Sequence, residues 1–548
     1  MLRQPLPLLT LAIGLSLAAC GGGGGGDNDT SNTDTTSNPP AETFTLGGTV
    51  TGLVNPGLTL ENNGDDSLAV AGNSFVFDTP LSDGGDYAVT VAKPPRHQLC
   101  STDNARGTMA GENVDDIRIL CRSWRTDMKI EQGDGPAYDP QVAVDSDGNA
   151  IAVWEQHDGM MYSIWANTYT PGTGWGSAET IESGDKTASH PQITFVNDTG
   201  KAIAVWQQSD GAHRNIRANT YTPDSGWSTS SVLVEQDDAG DAYNPRITSD
   251  GAGHIIAVWY RIVDYSTATI QTNTYSAGSG WDAASLTLAS FDISNSNSAS
   301  SPKRPQIAAD GAGNVIAIWR QYDGTRWNIH ARTSTFSSGW STPATLIEHG
   351  DDGDALAPQI AFDGDGNAIA VWAQDNASGT DVRYDIQANT YTPDGGWGTA
   401  TRIEHDNDGN AGFPQIALDH AGHAIAVWVQ NEGIHYNIRA NTYTQENGWD
   451  TATLIEQDDD GDARRPRIAV DGDGHAIAVW HQNDGAHYNI RANTYTPKNG
   501  WDTATRIDHG DEGDALAPQI AFDDKGNATA VWYQDDGTRE NIRANRFE

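Results

Sequence analysis

One fifteen-residue phrase, repeated eight times, constrains this chain more than any other feature. Pro358-Gln-Ile-Ala-Phe-Asp-Gly-Asp-Gly-Asn-Ala-Ile-Ala-Val-Trp372 recurs with small changes, its other copies ending at Trp154, Trp206, Trp259, Trp319, Trp428, Trp480 and Trp532. Successive copies lie 52 to 60 residues apart, a period that points to one supersecondary unit per repeat. In the seventh copy the pattern predicts four strands, Pro466–Val470, His475–Gln482, Tyr488–Thr496 and Thr503–Ile507. The links Asp471-Gly-Asp-Gly474, Asn483-Asp-Gly-Ala486 and Pro497-Lys-Asn-Gly500 are strong turn signals. In the second strand, Ala-Ile-Ala-Val-Trp is apolar on both faces, whereas a strand with one wet face alternates with polar residues.

Both faces of each sheet must therefore be covered, as when four-stranded sheets stack around an axis in a β-propeller. The chain's ends favour a ring over an open stack. The last copy stops at Asn545-Arg-Phe-Glu548, without the Gly-Trp pair and fourth strand of its siblings. The missing piece lies upstream: Trp124 precedes Glu131 as Trp449 precedes Glu456, and Glu131-Gln-Gly-Asp134 matches Glu456-Gln-Asp-Asp459. The expected fold is all-β: a small disulfide-stapled β-sandwich, then a closed eight-bladed β-propeller whose N-terminal strand completes the last blade. An open solenoid would instead need polar caps. The repeat resembles propeller repeats generally, including the Asp-box of sialidases. Here Asp363 and Gly366 are three apart, where the Asp-box has one residue between them, so sialidase activity is not carried over.

The first twenty residues carry an address. Arg3 supplies a positive start, Leu6–Leu17 an apolar stretch too short to span a bilayer, and Leu17-Ala-Ala-Cys20 a cleavage site. This segment resembles the signal of bacterial lipoproteins, which implies that residues 1–19 are removed and Cys20 is lipidated, giving a membrane partner through the N-terminal lipid. Gly21 in place of Asp implies the outer membrane, with the folded part facing the periplasm or the cell surface. Residues 20–43 read as a flexible tether of about 25 Å r.m.s. reach. With Cys20 acylated, Cys100 and Cys121 remain as a disulfide pair in an oxidising compartment. Residues 44–121 alternate at Leu58/Leu60, Leu68/Val70, Phe75/Phe77 and Tyr87/Val89/Val91, which predicts a half-buried antiparallel sandwich. It resembles the small spacer modules of bacterial surface lipoproteins. Residues 122–548 are the propeller.

Thirty-two basic against 74 acidic side chains give a net charge of −42, which excludes nucleic acid as a partner. On a propeller, the loops between blades and those between strands two and three share one face. Ligand-binding candidates there are His157, Tyr162, His213, Arg214, Tyr265, Trp327, Tyr384, His435, Tyr436, His487 and Tyr488. The inter-blade loops are acidic, with Glu348, Asp351 and Asp354 in one and Glu456, Asp459 and Asp462 in another. They read first as solvated turns, with calcium retained as the one cofactor candidate because it takes oxygen ligands. The recurrent tryptophans read as core before they read as sugar platforms. No Gly-x-Ser-x-Gly elbow, His-Glu-x-x-His helix, Walker loop or dinucleotide fingerprint occurs. The pattern points to a monomeric, membrane-anchored binding protein for a glycan or protein ligand. The alternatives are a polysaccharide lyase or glycoside hydrolase, with its site in irregular blades three to five, and an envelope scaffold.

Overall fold

A computed structural model describes residues 42–548 apart from 197–198, 237–239, 265, 294–303, 336–337, 349–352, 377–382, 405–408, 432, 458–460 and 511–512. Cys20, Tyr265, Asp351 and Asp459 lie outside the described residues, as do the signal and nearly all of the tether. Every regular element among the described residues is a strand.

Each period forms one antiparallel sheet. In repeat seven the order is Ala463–Val470, Ala476–Asn483, Tyr488–Thr496, then Gly500–Trp501, with Thr505–Arg506 also on the third strand. The outer edge is thus two short pairings instead of the expected single fourth strand. The cause is Asn493, whose amide reaches between them to the Asp502 carbonyl (2.8 Å) and to Ile455 O of the preceding repeat (2.8 Å). The same asparagine recurs, as in Asn219 to Ile181 O and Asn441 to Ile403 O, so a side chain staples sheet to sheet where a backbone ladder cannot.

The second strands are buried on both faces, as their sequence requires. Trp206 packs with Ala202 and Ala204 onto Ile151, Val153 and Ile164 of the sheet before it, and Trp428 packs likewise onto Ile369, Val371 and Ile386. All eight of these tryptophans are fully buried. Seven of the eight donate their indole N–H to a glutamine two residues on, as Trp154 does to Gln156 (2.9 Å). Six of the Gly-Trp tryptophans pack at the outer edge against a tyrosine, as in Tyr169–Trp175 at 5.7 Å. The first strands of successive repeats pack on one another from one to eight, and that of repeat eight packs on that of repeat one. Upstream residues Met128–Lys129 pair with Arg543 and Ala544 in the last sheet, and Trp124 bridges to Phe547.

Before the repeats, two four-stranded sheets share one core of Leu46, Leu58, Leu60, Phe75, Val89, Ile117 and Ile119. The Cys100–Cys121 disulfide joins directly opposed residues of neighbouring strands. One pair, Leu46–Thr51 with Val114–Arg122, is parallel, where the sequence predicts only antiparallel neighbours. The chain crosses into the other sheet between these two strands, and so it returns in the same direction. This module rests on repeats seven and eight. Leu99 joins the cluster of Trp532 and Phe547, Arg122 donates to Asn527 Oδ1 (2.9 Å), and Lys498 pairs with Glu61 (2.8 Å). Asn527 and Lys498 belong to turns that follow first and third strands, so the opposite end of the repeats stays clear of the module.

Candidate functional site

That clear end carries the loops between second and third strands and those entering each new repeat. Asp145-type acids at the far end only build turns. Asp145 Oδ1 accepts from the N–H groups of Asp147 (3.1 Å) and Asn149 (2.8 Å), and Asp363 and Asp523 repeat the pattern. Among the described residues Asp471, Asp473 and His475 alone form a cluster with metal-ligand spacing, and they make this same turn.

The acidic inter-repeat loops are not uniformly solvated, which corrects their reading as rim turns. Glu348 and Glu456 are buried, and Glu456 accepts from Gln482, the partner of Trp480. Asp354 accepts from the Trp327 N–H (2.8 Å) and Asp462 from the Tyr436 N–H (3.1 Å), tying each loop to the third strand of the preceding repeat. Asp354, Glu456 and Asp462 of the two calcium sets are thus engaged by donors of the protein, and Glu348 is buried.

The described aromatic and histidine candidates lie at this end in separate repeats and do not gather into one site. His157 packs on Tyr162 (4.9 Å), which neighbours Tyr138 (6.2 Å). Arg214 reaches Tyr243 Oη (3.1 Å), and His213 faces Asp241 (3.9 Å). His435 faces Asp462 and His487 faces Asp514, both at 3.7 Å. Tyr436 lies under the Arg464 guanidinium (4.0 Å), Tyr488 meets His481 (5.0 Å), and the Tyr384 N–H donates to Asn410 (3.0 Å). Trp327 is only 6% exposed, beneath Arg320, so it is packing and not an open platform.

A different recurring set is one that the sequence reading passed over. The residue before the repeat's proline adopts positive φ, between 49° and 56°, in seven repeats: Asp139, His190, Asn244, Ala357, Phe413, Arg465 and Ala517. None is glycine, and the left-handed region is unfavourable for such residues, particularly before proline. Each costs on the order of 1–3 kcal/mol unless its surroundings impose it. The imposing contact is visible where the residue after the buried tryptophan is polar. Glu155 accepts from the His190 N–H (2.6 Å), Gln207 from Asn244 (2.9 Å) and His481 from Ala517 (3.4 Å). The first strand is bulged there in those seven repeats, and the side chain differs from repeat to repeat. The signal was present in the sequence: a variable residue, then an invariant proline, in all eight copies.

Charges of other repeats act on His190 at these positions. Burial lowers the His190 pKa against the attraction of Asp139, helped by Arg304, Arg246 and Arg214. Burial also pushes His481 down to about 3, with Arg465 and Arg464 adding to the shift. Glu155 moves the other way, raised to about 7 by burial despite its bond to the His190 N–H.

These two shifts oppose each other in stability. Below its ordinary value near 6.5, the His481 ring takes up a proton in the unfolded chain but not in the folded one. Its contribution is therefore complete above that value and lost as pH falls toward 3, amounting to about 2 kcal/mol at pH 5. Folded Glu155 stays protonated up to about 7, so its contribution is present below 4.5 and lost as pH rises to 7. H481Q should flatten the acid limb of a urea-melt series between pH 6.5 and 4. E155Q should be more stable than the parent at pH 8 by on the order of 2–3 kcal/mol and equal to it near pH 4. Parallel pH profiles for parent and variants would refute both assignments.

No family model matches the chain, and no curated protein matches it. Among solved structures it is similar to an ulvan lyase bound to -[GlcA(1-4)Rha3S]-, at 12% identity over 66% of this chain and 94% of that one, with a TM-score of 0.43. It is also similar to the intramolecular trans-sialidase from Ruminococcus gnavus, at 11% identity over 67% and 95%, TM-score 0.34. A third is a protein of unknown function from Dyadobacter fermentans, at 12% identity over 67% and 96%, TM-score 0.39.

Proposed function

We propose that the eight sheets are the blades of a closed propeller, held through Cys20 to the outer membrane, whose clear end binds a glycan. The cyclic packing of first strands supports closure, as does the pairing of Met128–Lys129 with the last sheet. Asn167 donates to Ile130 O (2.8 Å) just as Asn545 donates to Ile507 O (2.8 Å), so the junction of last and first repeats carries the same staple as the others.

The observation that carries binding is the set of strained positions before proline. Seven copies hold an unfavourable backbone while their side chains vary, with Phe413 standing 67% exposed among Arg, His, Asn and Asp. Structural strain alone would select one residue type, whereas a ligand surface needs different contacts in different sectors. Aromatic faces beside guanidinium and amide donors suit sugar rings and their hydroxyls. Recognition by several comparable sectors also suits weak multivalent contact with a polymer. The spacer module sits at the other end, so the tether leaves this surface pointed outward.

The test incubates the chain from residue 44 with neutral and acidic polysaccharides and follows polymer size and protein together by size-exclusion chromatography. Co-elution with unshortened polymer is expected. A polymer that shortens favours a second reading, a polysaccharide-cleaving enzyme, for which Glu155 poised near neutrality 3.8 Å from His190 is the acid–base candidate. Neither co-elution nor shortening would overturn both readings in favour of a protein ligand.

A further inference from the structure

We propose that Arg246 and Arg467, facing each other across the centre of the first-strand cycle, form a binding site for one oxyanion, the carboxylate or sulfate ester of an acidic polysaccharide. This rests on the glycan-binding reading and adds the substrate class.

The position is defined by the repeat. After the proline that follows the strained residue, six repeats carry glutamine, as in Gln141 and Gln519, while repeat three carries Arg246 and repeat seven Arg467. Three and seven lie four steps apart in a cycle of eight, which is as far apart as two repeats can be. Burial, helped by Arg304 and Arg467, depresses Arg246 to about 9, and Arg304 also acts on Arg467. The first strands pack in a cycle, and at this position Arg467 Nε reaches Gln519 Oε1, the equivalent side chain of the next repeat (3.0 Å), so these side chains face the inside of the cycle, where repeats three and seven stand opposite. Both keep part of their surface open to water although protein surrounds them.

Next to them stand Arg304 and Arg465, both exposed. Among the described residues no carboxylate lies within ion-pairing distance of any of the four, and only Asp139 acts on Arg246 with opposite sign. In a chain with 74 acids and 32 bases, four arginines brought together without a paired acid run against the composition. Their mutual repulsion is an energetic cost that a bound anion would remove, and guanidinium forks fit planar carboxylate and tetrahedral sulfate alike. Arg467 is oriented for this. Its Nε donates to Gln519 Oε1 (3.0 Å) and one terminal nitrogen to Pro466 O (3.0 Å), leaving donors on the other terminal nitrogen.

R246Q and R467Q install the residue that six siblings already carry, so each should fold. Thermal unfolding of the full-length chain would be followed against glucuronate, sulfate and glucose at constant ionic strength, with co-elution of a uronate polymer, a sulfated polymer and a neutral one. Saturable stabilisation by glucuronate or sulfate but not glucose is expected, and which of the two acts identifies the oxyanion. Each variant should weaken that binding, and binding of the matching polymer, at least tenfold, while unfolding no earlier than the parent without ligand. Polymer binding that the double variant leaves intact would overturn the oxyanion site and keep the glycan reading. Arginine-dependent stabilisation by the small anions without binding of any polymer would keep the site and overturn the glycan reading.

Discussion

A chain started at Gln132 should unfold at a far lower urea concentration than one started at Arg122, with a loss on the order of 5 kcal/mol. The ten residues between them bridge the last sheet to the first. Ile130 is buried against Ile542 and Val531 of repeat eight and Ala152 and Trp154 of repeat one, and its burial contributes about 2–3 kcal/mol. Its N–H donates to Ile542 O (2.9 Å) and its carbonyl takes the Asn167 amide (2.8 Å), bonds contributing about 1 kcal/mol each. Asp127 and Glu131 are buried acids with basic partners: Arg543 and His509 for the first, Lys129 (2.7 Å) and Arg539 (3.3 Å) for the second. Deleting them leaves Arg543 and Arg539 without these acids, and breaking such pairs costs more than the pairs contribute. Both chains lack the preceding module, so its docking does not enter the comparison. Intrinsic tryptophan fluorescence reads the transition directly, since each buried indole sits between adjacent sheets. Equal midpoints would show that the upstream strand is an accessory and that the first and last repeats hold without it.

That bridge is legible in the sequence because it is a displaced piece of a repeated pattern. Trp124 and Glu131 keep the offset of Trp449 and Glu456, and a register of this kind survives any change of surface residues. The tryptophan core, the hairpin acids and the disulfide partners are legible for the same reason: each follows from local spacing. The bulge before proline is not. The pattern predicts that the first strand of repeat seven starts at Pro466, yet it starts at Ala463 and runs through a left-handed Arg465. Nothing local favours that conformation; in three repeats it is held by a side chain of the preceding repeat, as Glu155 holds His190. The candidate site suffered accordingly. Histidines and tyrosines in variable loops attract notice by residue type, but each finds its contacts in its own repeat or the next. Arg246 and Arg467 look like ordinary strand residues, marked in the sequence only by replacing the glutamine that six siblings carry.

Trp428→Ala should cost about 3–5 kcal/mol, and the pattern of milder substitutions should say why. Trp428 is 0% exposed and fills the space between its own sheet and Ile369, Val371, Ile386 and Ile403 of the preceding one, a space the flanking sheets cannot close without tilting. Trp449, half-buried at the outer edge against Tyr443 (5.4 Å), leaves its gap open to water, and Trp449→Ala should cost about 1–2 kcal/mol. The indole N–H contribution separates from the volume by changing tryptophan to phenylalanine. Trp428 Nε1 donates to Gln430 Oε1 (2.9 Å), and Gln430 in turn donates to Gly409 O (3.2 Å) at the start of its own repeat. Trp428→Phe therefore strands a buried acceptor, a loss of about 1–3 kcal/mol beyond the smaller ring. Repeat three supplies the control, because Arg261 stands where the glutamine would be and Trp259 Nε1 has no acceptor among the described residues. Trp259→Phe removes a donor that was already unsatisfied, so it should cost clearly less than Trp428→Phe in the same urea titration. Equal losses at the two sites would assign the tryptophan's whole contribution to ring volume and leave the recurrent Trp-x-Gln without a role in stability. A larger loss at Trp428 would instead explain why the glutamine recurs in seven repeats, through a bond that ties each buried ring to the loop entering its own sheet.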